Sequence, residues 1–288
     1  MRVAIIPKES RYTYTLKRSN LKANEVRGYL NRTGLSDRRV DSIIESHKRQ
    51  QANFDTIVGR FMSHIVDVIS REDLTKECLN DYDLVVAFGG DNHFQYVASF
   101  VEKVPILGIN SDPATSVGHL TKFSVDSPQL APDSPLFTRG VFSTHSWTRL
   151  KATIDGHDVS TLALSEIYLG EKSRLIMSRF LVEGVTDVSV RSSGIICSTG
   201  AGSSGWYNSA VKQKPWEPTV EGFSCVALEP FGDTPMFPKT GCLNIIHITS
   251  LNDTNGIISI DCLREFPFPE GSRAMIAIGE PLVVVSNV

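Results

Sequence analysis

Asp81-Tyr-Asp-Leu-Val-Val-Ala-Phe-Gly-Gly-Asp-Asn-His-Phe-Gln-Tyr96 is the stretch on which the reading of this chain turns. Leu84 to Phe88 is an unbroken apolar run, which predicts a buried strand of a parallel sheet. Gly89 and Gly90 close the run. From Asp91 onward, Phe94, Val97, Ala98 and Val101 recur at helical spacing. The order is therefore strand, glycine turn, carboxylate, helix. In an open α/β sheet, ligands sit outside the C-terminal ends of the strands. Two glycines let a ligand approach the backbone, and a helix N-terminus offers free N–H groups to phosphate. A carboxylate at Asp91 can orient a hydroxyl, accept its proton, or help hold a metal. Gly-Gly-Asp also suits a plain βα turn with Asp as the cap, so its meaning depends on the rest of the chain. Neither the P-loop nor the Rossmann glycine pattern is present here.

Working outward, Val3–Ile6 reads as a first parallel strand ending at Pro7, followed by a polar loop, Lys8–Thr15, on the ligand rim. Surface helices are expected around Glu25–Leu30 and Arg38–His47. An amphipathic helix is expected over residues 54–72, with His64 at the edge of the core. Pro105–Asn110 is another buried strand, and the loop Asn110–Leu120 leaves it at the same edge as Gly89–Asp91. Both loops should line one crevice. Residues 124–140 hold three prolines and read as a linker.

Beyond it the pattern turns antiparallel. Asp155-Gly156 signals a hairpin. Strands are expected over Leu162–Leu169 and Arg174–Val182, a turn at Glu183-Gly184, and extended chain over Asp187–Cys197. Closing strands are expected over 257–262 and 273–285. Glu166 interrupts an apolar strand and by itself reads as a charge at a sheet edge. The fold class is α/β: an N-terminal parallel-sheet, Rossmann-like domain over 1–127, then an antiparallel β-rich domain over 128–288, with the main cleft between them.

A second glycine-rich stretch lies in the β-rich part. The strand Gly194–Cys197 runs into seven small residues, Ser198 to Ser204, before Gly205-Trp-Tyr-Asn-Ser209 begins a helix. Small residues leave room for a ligand, and their hydroxyls and N–H groups are hydrogen-bond partners. A flexible Gly/Ser linker is seldom set between a buried strand and an aromatic helix start.

The chain has 288 residues and a formal net charge of −3, which argues against broad nucleic-acid binding. Its five cysteines form no Cys-x-x-Cys pair and its seven histidines are dispersed, which suits reduced thiols in a cytoplasm. No apolar run is long enough to span a membrane. Met1-Arg-Val-Ala-Ile-Ile6 enters a strand at once, leaving no room for a signal peptide.

Taken in order, these motifs resemble the NAD kinase family. Gly89-Gly-Asp-Asn-His93, the Asn110–Leu120 loop, Ser165-Glu166 and Ser198-Thr-Gly-Ala-Gly-Ser-Ser-Gly-Trp206 stand where that family has its own motifs. The resemblance covers most of the chain and is closest to the mitochondrial-type members. They share Arg11-Tyr12, Asn110-Ser-Asp-Pro113, Gly118-His-Leu120, Ser192-Ser-Gly194 and Trp206. It implies transfer of a phosphoryl group from ATP or another donor, with Mg²⁺, to the 2′-hydroxyl of the adenosine ribose of NAD.

Asp91 is then the base or orienting group and a metal contact. Gly89, Gly90, Asn92 and His93 form the donor loop. Gly90, Asn110, Ser165, Glu166, Ser193, Ser204, Gly205, Trp206 and Ser209 bind the dinucleotide, with Ser165 and Glu166 at its nicotinamide end. A homodimer or higher homo-oligomer is implied. Three positions depart from the family pattern: Asn92 replaces glycine, His93 replaces threonine, and Ser165 replaces asparagine. Asn92 is expected to take a left-handed turn conformation. The residues leave two other readings open, a non-catalytic dinucleotide-binding protein and a kinase for a different alcohol such as a sugar or lipid.

Overall fold

Short apolar runs near the N-terminus build the first sheet. A computed structural model describes residues 1–183, 189–232 and 243–286. The first compact unit comprises Met1–Thr144 together with Val284–Val288. In chain order it carries β1 (Arg2–Pro7), α1 (Arg11–Arg18), α2 (Val26–Arg32), α3 (Asp37–Arg60), β2 (Ile65–Val68), α4 (Lys76–Leu79), β3 (Leu84–Gly89), α5 (Asp91–Ala98), β4 (Ile106–Asn110), α6 (Pro135–Arg139) and the start of β5 (Thr144–Trp147). β1, β3 and β4 are parallel, with Val3 opposite Leu84 and Val85 opposite Ile106. The strand order β2-β1-β3-β4 puts the reversal of winding between β1 and β3, where doubly wound sheets hold ligands. Val3, Ile5, Leu84, Val86, Leu107 and Ile109 face one buried cluster with Ile57 and Phe61 of the α3 end.

Four expectations are corrected in this unit. Lys8–Thr15 is largely helical: Ser10 caps α1 by accepting from the Thr13 N–H at 3.1 Å. The helix expected over 54–72 ends at Arg60, and Ile65–Val68 is an edge strand parallel to β1. Three of its four residues are β-branched, which suits a strand better than a helix. His64 consequently lies in the bend between the two. Residues 124–140 are no linker. The Arg60 guanidinium donates to the carbonyls of Val125 (2.7 Å) and Leu130 (2.6 Å). Phe137 of α6 sits edge-on to Phe61 at 4.7 Å in the same core. The first unit therefore runs on to Thr144 rather than ending at 127, and it takes the last strand back.

The second unit, His145–Val283, is antiparallel. It contains β6 (Leu150–Ile154), β7 (His157–Asp158), β8 (Glu166–Glu171), β9 (Ser178–Val182), β10 (Val190–Ser192), β11 (Ile195–Ser198), α7 (Trp206–Val211), β12 (Ser224–Ala227), β13 (Ile245–Ser250), β14 (Gly256–Ile260), β15 (Arg264–Pro267) and β16 (Arg273–Ile278). The last strand, β17 (Leu282–Val285), pairs with β4 at Val284. One sheet has the order β10-β9-β13-β16-β6-β7 and the other β12-β11-β8-β14-β15. Their inward residues, among them Ile167, Leu169, Phe180, Ile195, Ile248, Ile258 and Ile276, form one sandwich core. The Asp155-Gly156 hairpin is present, with both residues at positive φ. Glu166 opens β8, the central strand of its sheet, so it is not an edge charge. Gly184 and Asp187, expected in a turn and an extended stretch, lie outside the described residues. Among the described residues, no helix is long and apolar enough to cross a membrane.

Candidate functional site

Gly90 caps α5 in extended conformation, and Asp91 is the first helical residue, where a carboxylate complements the helix dipole. The loop after β4 closes over it. Asp91 Oδ1 accepts from the Leu120 N–H (2.9 Å), the Thr121 N–H (3.1 Å) and the Thr121 hydroxyl (3.1 Å). Among the described residues, Oδ2 accepts only the His119 N–H, at 2.9 Å. The two loops expected to line one crevice thus meet at Asp91. Asn110 organises the start of the second loop: its amide donates to the Ser116 carbonyl (3.0 Å) and its Oδ1 accepts the Asp112 N–H (3.1 Å).

The His93 side chain is turned into the interior. A helix turns about 100° per residue, so a side chain two positions after Asp91 points nearly the opposite way. The His93 ring is buried beneath Gly89, and Nε2 lies 2.9 Å from the Ile6 carbonyl. A Cβ at Gly89 would come within 2.7 Å of that ring, so the glycine makes room for it. Burial pushes the imidazole down to about 4, partly offset by the Ile6 bond. With Nε2–H donating, Nδ1 is left buried and unpartnered. Asn92 is exposed, and it is a helical residue without positive φ rather than a left-handed turn residue.

Beside this loop a cleft of about 680 Å³ opens at the ends of β1, β2 and β3. Pro7, Lys8, Ser10 and Arg11 form one side, Ser70 and Arg71 another, and His47, Gln50, Gln51 and Phe54 of α3 a third. The Lys8 N–H donates to the Phe88 carbonyl at 2.7 Å, fixing the β1 exit next to Gly89. Among the described residues neither Lys8 nor Arg11 has an ion-pair partner, whereas Lys17 pairs with Glu9 at 2.8 Å. The Arg71 guanidinium lies over the Tyr96 ring, 3.7 Å from its centre. Sequence reasoning placed the rim here but missed the contribution of α3 and Arg71.

In the second unit, Ser165 and Glu166 are held by a residue that sequence reasoning missed. Buried Asp261 accepts from the N–H groups of Leu164 (2.7 Å), Ser165 (2.9 Å) and Glu166 (2.9 Å). The available signal was an acidic residue inside the apolar tail run Ile257–Cys262. Burial, with the Asp261 carboxylate adding to it, pushes the Glu166 carboxyl up to about 7.

The small-residue loop lies directly against this strand. A Cβ on Gly202 would strike the Ser165 carbonyl, so only glycine permits that approach. The hydroxyls expected to meet a ligand are partly spent inside. Ser198 and Thr199 are fully buried and donate to the Ser165 and Leu164 carbonyls. Ser203 donates to the Gly200 carbonyl and accepts the Trp216 N–H. Ser204 is half-buried, whereas Gly205 and Ser209 are exposed. Trp206 stacks on Tyr168 at 5.4 Å and 21°, with the Arg174 guanidinium 5.0 Å from the indole centre. The Tyr168 hydroxyl in turn donates to the Ser193 carbonyl at 2.9 Å, which brings Ser193 to this aromatic platform. Asp91, Gly89, Gly90 and Asn110 therefore assemble in one unit, and Ser165, Glu166, Ser193, Ser204, Gly205 and Trp206 in the other.

An α/β unit with a gripped Gly-Gly-Asp carboxylate is joined in one chain to a β-sandwich with a glycine-rich loop. Residues 16–133 match the ATP-NAD kinase N-terminal domain. A Thermoplasma volcanium NAD kinase is 24% identical over 201 residues, covering 69% of this chain and 71% of that protein. The rat mitochondrial NAD kinase 2 is 24% identical over 242 residues, 75% of this chain and 55% of that one. The chain thus spans about half the length of that relative. An Archaeoglobus fulgidus NAD kinase, solved in complex with ATP, superposes with a TM-score of 0.64 at 22% identity over 100% of this chain and 94% of that one. The chain is thus similar to NAD kinases over most of its length, and it shares their fold.

Proposed function

We propose that the protein is itself an NAD kinase, transferring a phosphoryl group to the 2′-hydroxyl of the adenosine ribose of NAD to give NADP. One observation carries the proposal. Asp91 is held by four hydrogen bonds from the β4 loop, yet Oδ2 takes only one of them and keeps a lone pair for an incoming hydroxyl. The bonds to Oδ1 orient the carboxylate. Oδ2 then accepts the ribose hydroxyl proton as the phosphoryl group is transferred.

The donor, ATP or another polyphosphate, binds in the cleft beside Gly89. Lys8, Arg11 and Arg71 neutralise its phosphates, as phosphoryl transfer requires. This reading moves the donor away from His93, whose ring is turned inward. Among the described residues no three His, Cys, Asp or Glu side chains converge to hold a metal, and Asp91 Oδ1 is already filled by hydrogen bonds. The described residues thus form no Mg²⁺ cage. Mg²⁺ would be held mainly by the donor phosphates and would neutralise their charge. In the second unit Glu166 and Ser165 receive the nicotinamide end, and Ser204, Gly205, Trp206 and Ser209 contact the dinucleotide. The protein acts in the cytoplasm as a homodimer or larger homo-oligomer, which sedimentation at micromolar concentration checks.

Incubation with NAD, Mg²⁺ and either ATP or inorganic polyphosphate, followed by assay for NADP, tests the proposal. NADP with at least one donor is expected. Tight NAD binding without NADP from any donor would replace this reading with a dinucleotide-binding protein.

A further inference from the structure

We propose that Asp112 is a positioning residue for phosphoryl transfer, tying the loop that grips Asp91 to helix α3. The inference rests on the kinase reading above and deepens it. Asp112 is only 3% exposed. Arg49 of α3 forks onto both carboxylate oxygens, Nε to Oδ1 at 2.8 Å and Nη2 to Oδ2 at 3.1 Å. Ser46, one turn earlier on α3, donates to Oδ2 at 2.6 Å, and the Thr115 hydroxyl donates at 2.8 Å. The Asn53 amide, one turn later, holds the Ser111 carbonyl at 3.0 Å. Burial opposes ionisation of Asp112, yet the bonds from Arg49, Ser46 and Thr115 hold its carboxyl below the ordinary range.

Three successive turns of α3 therefore clamp the start of this loop. Its far end, His119 to Thr121, supplies every hydrogen bond seen on the Asp91 carboxylate. The same helix presents His47, Gln50, Gln51 and Phe54 to the cleft. One rigid element thus carries a wall of the donor cleft and the anchor of the Asp91 loop. A bidentate arginine–carboxylate pair is suited to this task because its geometry is directional. A small displacement of α3 would be passed through Asp112 to the frame that aims Asp91.

The test compares full-length wild type with Asp112→Asn and Arg49→Lys. Amide exchange by mass spectrometry reads the 118–122 segment, with β1 and β3 peptides as controls, and steady-state NADP formation gives kcat and KM. In Asp112→Asn the segment should exchange roughly tenfold faster while the β1 and β3 peptides hold. Misplacing a catalytic group by about 1 Å costs on the order of 10²-fold, so kcat should fall by that order. KM for NAD and for ATP should stay within about threefold, since Asp112 is buried and both its oxygens are taken by Arg49, Ser46 and Thr115. Arg49→Lys keeps the charge but loses the fork, and should fall between the two. Unchanged exchange at 118–122 would overturn the proposal, as would faster exchange with unchanged kcat. Faster exchange throughout the unit would make Asp112 merely a stabilising residue and overturn it too. A wild type that makes no NADP fails the kinase reading itself, whereas an active wild type with an indifferent Asp112 fails only this inference.

Discussion

Glu166→Gln should stabilise the β-rich unit at alkaline pH and leave it unchanged at acid pH. Glu166 opens the central strand of a five-stranded sheet, beside the Asp261 carboxylate. Burial, then Asp261, raises its carboxyl from 4.5 to about 7. The folded state therefore holds this proton more tightly than the unfolded chain does. Between pH 4.5 and 7 the native protein binds more protons, so stability falls as pH rises through that window. At 1.36 kcal/mol per pH unit, the shift corresponds to a cost of about 3 kcal/mol once Glu166 is ionised. Glutamine has nearly the same shape and carries no charge. Urea unfolding of wild type and variant at pH 4.5, 6 and 8 measures the effect. The variant should gain about 1–3 kcal/mol at pH 8, less at pH 6, and nothing at pH 4.5. An equal change at all three values, or a loss at pH 8, would refute the reasoning by showing that the ionised carboxylate is well compensated.

Two further predictions concern the first unit. His93 is depressed to about 4 against an unfolded value of 6.5, so the unfolded chain takes up the proton first. Stability present above pH 6.5 is lost as pH falls toward 4, by about 3 kcal/mol in full. His93→Asn should flatten that acid limb, measured as urea midpoints at pH 7 and 4.5, whatever it does to stability at pH 7. Phe137 is 1% exposed and packs edge-on to Phe61. Phe137→Ala should cost about 3–5 kcal/mol in thermal unfolding, against less than about 0.5 kcal/mol had residues 124–140 been a solvated linker.

The parallel core was legible because its strands are continuous apolar runs. Val3–Ile6, Leu84–Phe88 and Ile106–Ile109 leave no other reading, and Phe94, Val97 and Ala98 show one helix face. The α3–β2 junction was not, because Phe54, Ile57, Val58 and Phe61 continue into Ile65 and Val66, and the one glycine there, Gly59, lies inside α3 rather than after it. Residues 124–140 look like a linker by proline content, yet Leu130, Leu136 and Phe137 are core residues that only tertiary packing identifies. In the candidate site, Gly89, Gly90, Asp91 and Asn110 were read from local pattern. Asp112 and Asp261 were not, since their partners lie up to 66 and 97 residues away. His93 was placed in the donor loop by the resemblance, at the position of a threonine; its ring is turned inward against the Ile6 carbonyl, which only the helical geometry after Asp91 reveals.

Asp91 is the residue on which the proposed phosphoryl transfer turns. In Asp91→Asn, the side-chain oxygen at the Oδ1 position can keep the bonds from Leu120 and Thr121. The amide can still meet a ribose hydroxyl but cannot take its proton. Calorimetry should show NAD binding within about threefold of wild type, while NADP formation falls by roughly 10²–10⁴-fold, the usual range for loss of a general base. Undiminished NADP formation by Asp91→Asn would contradict the assignment.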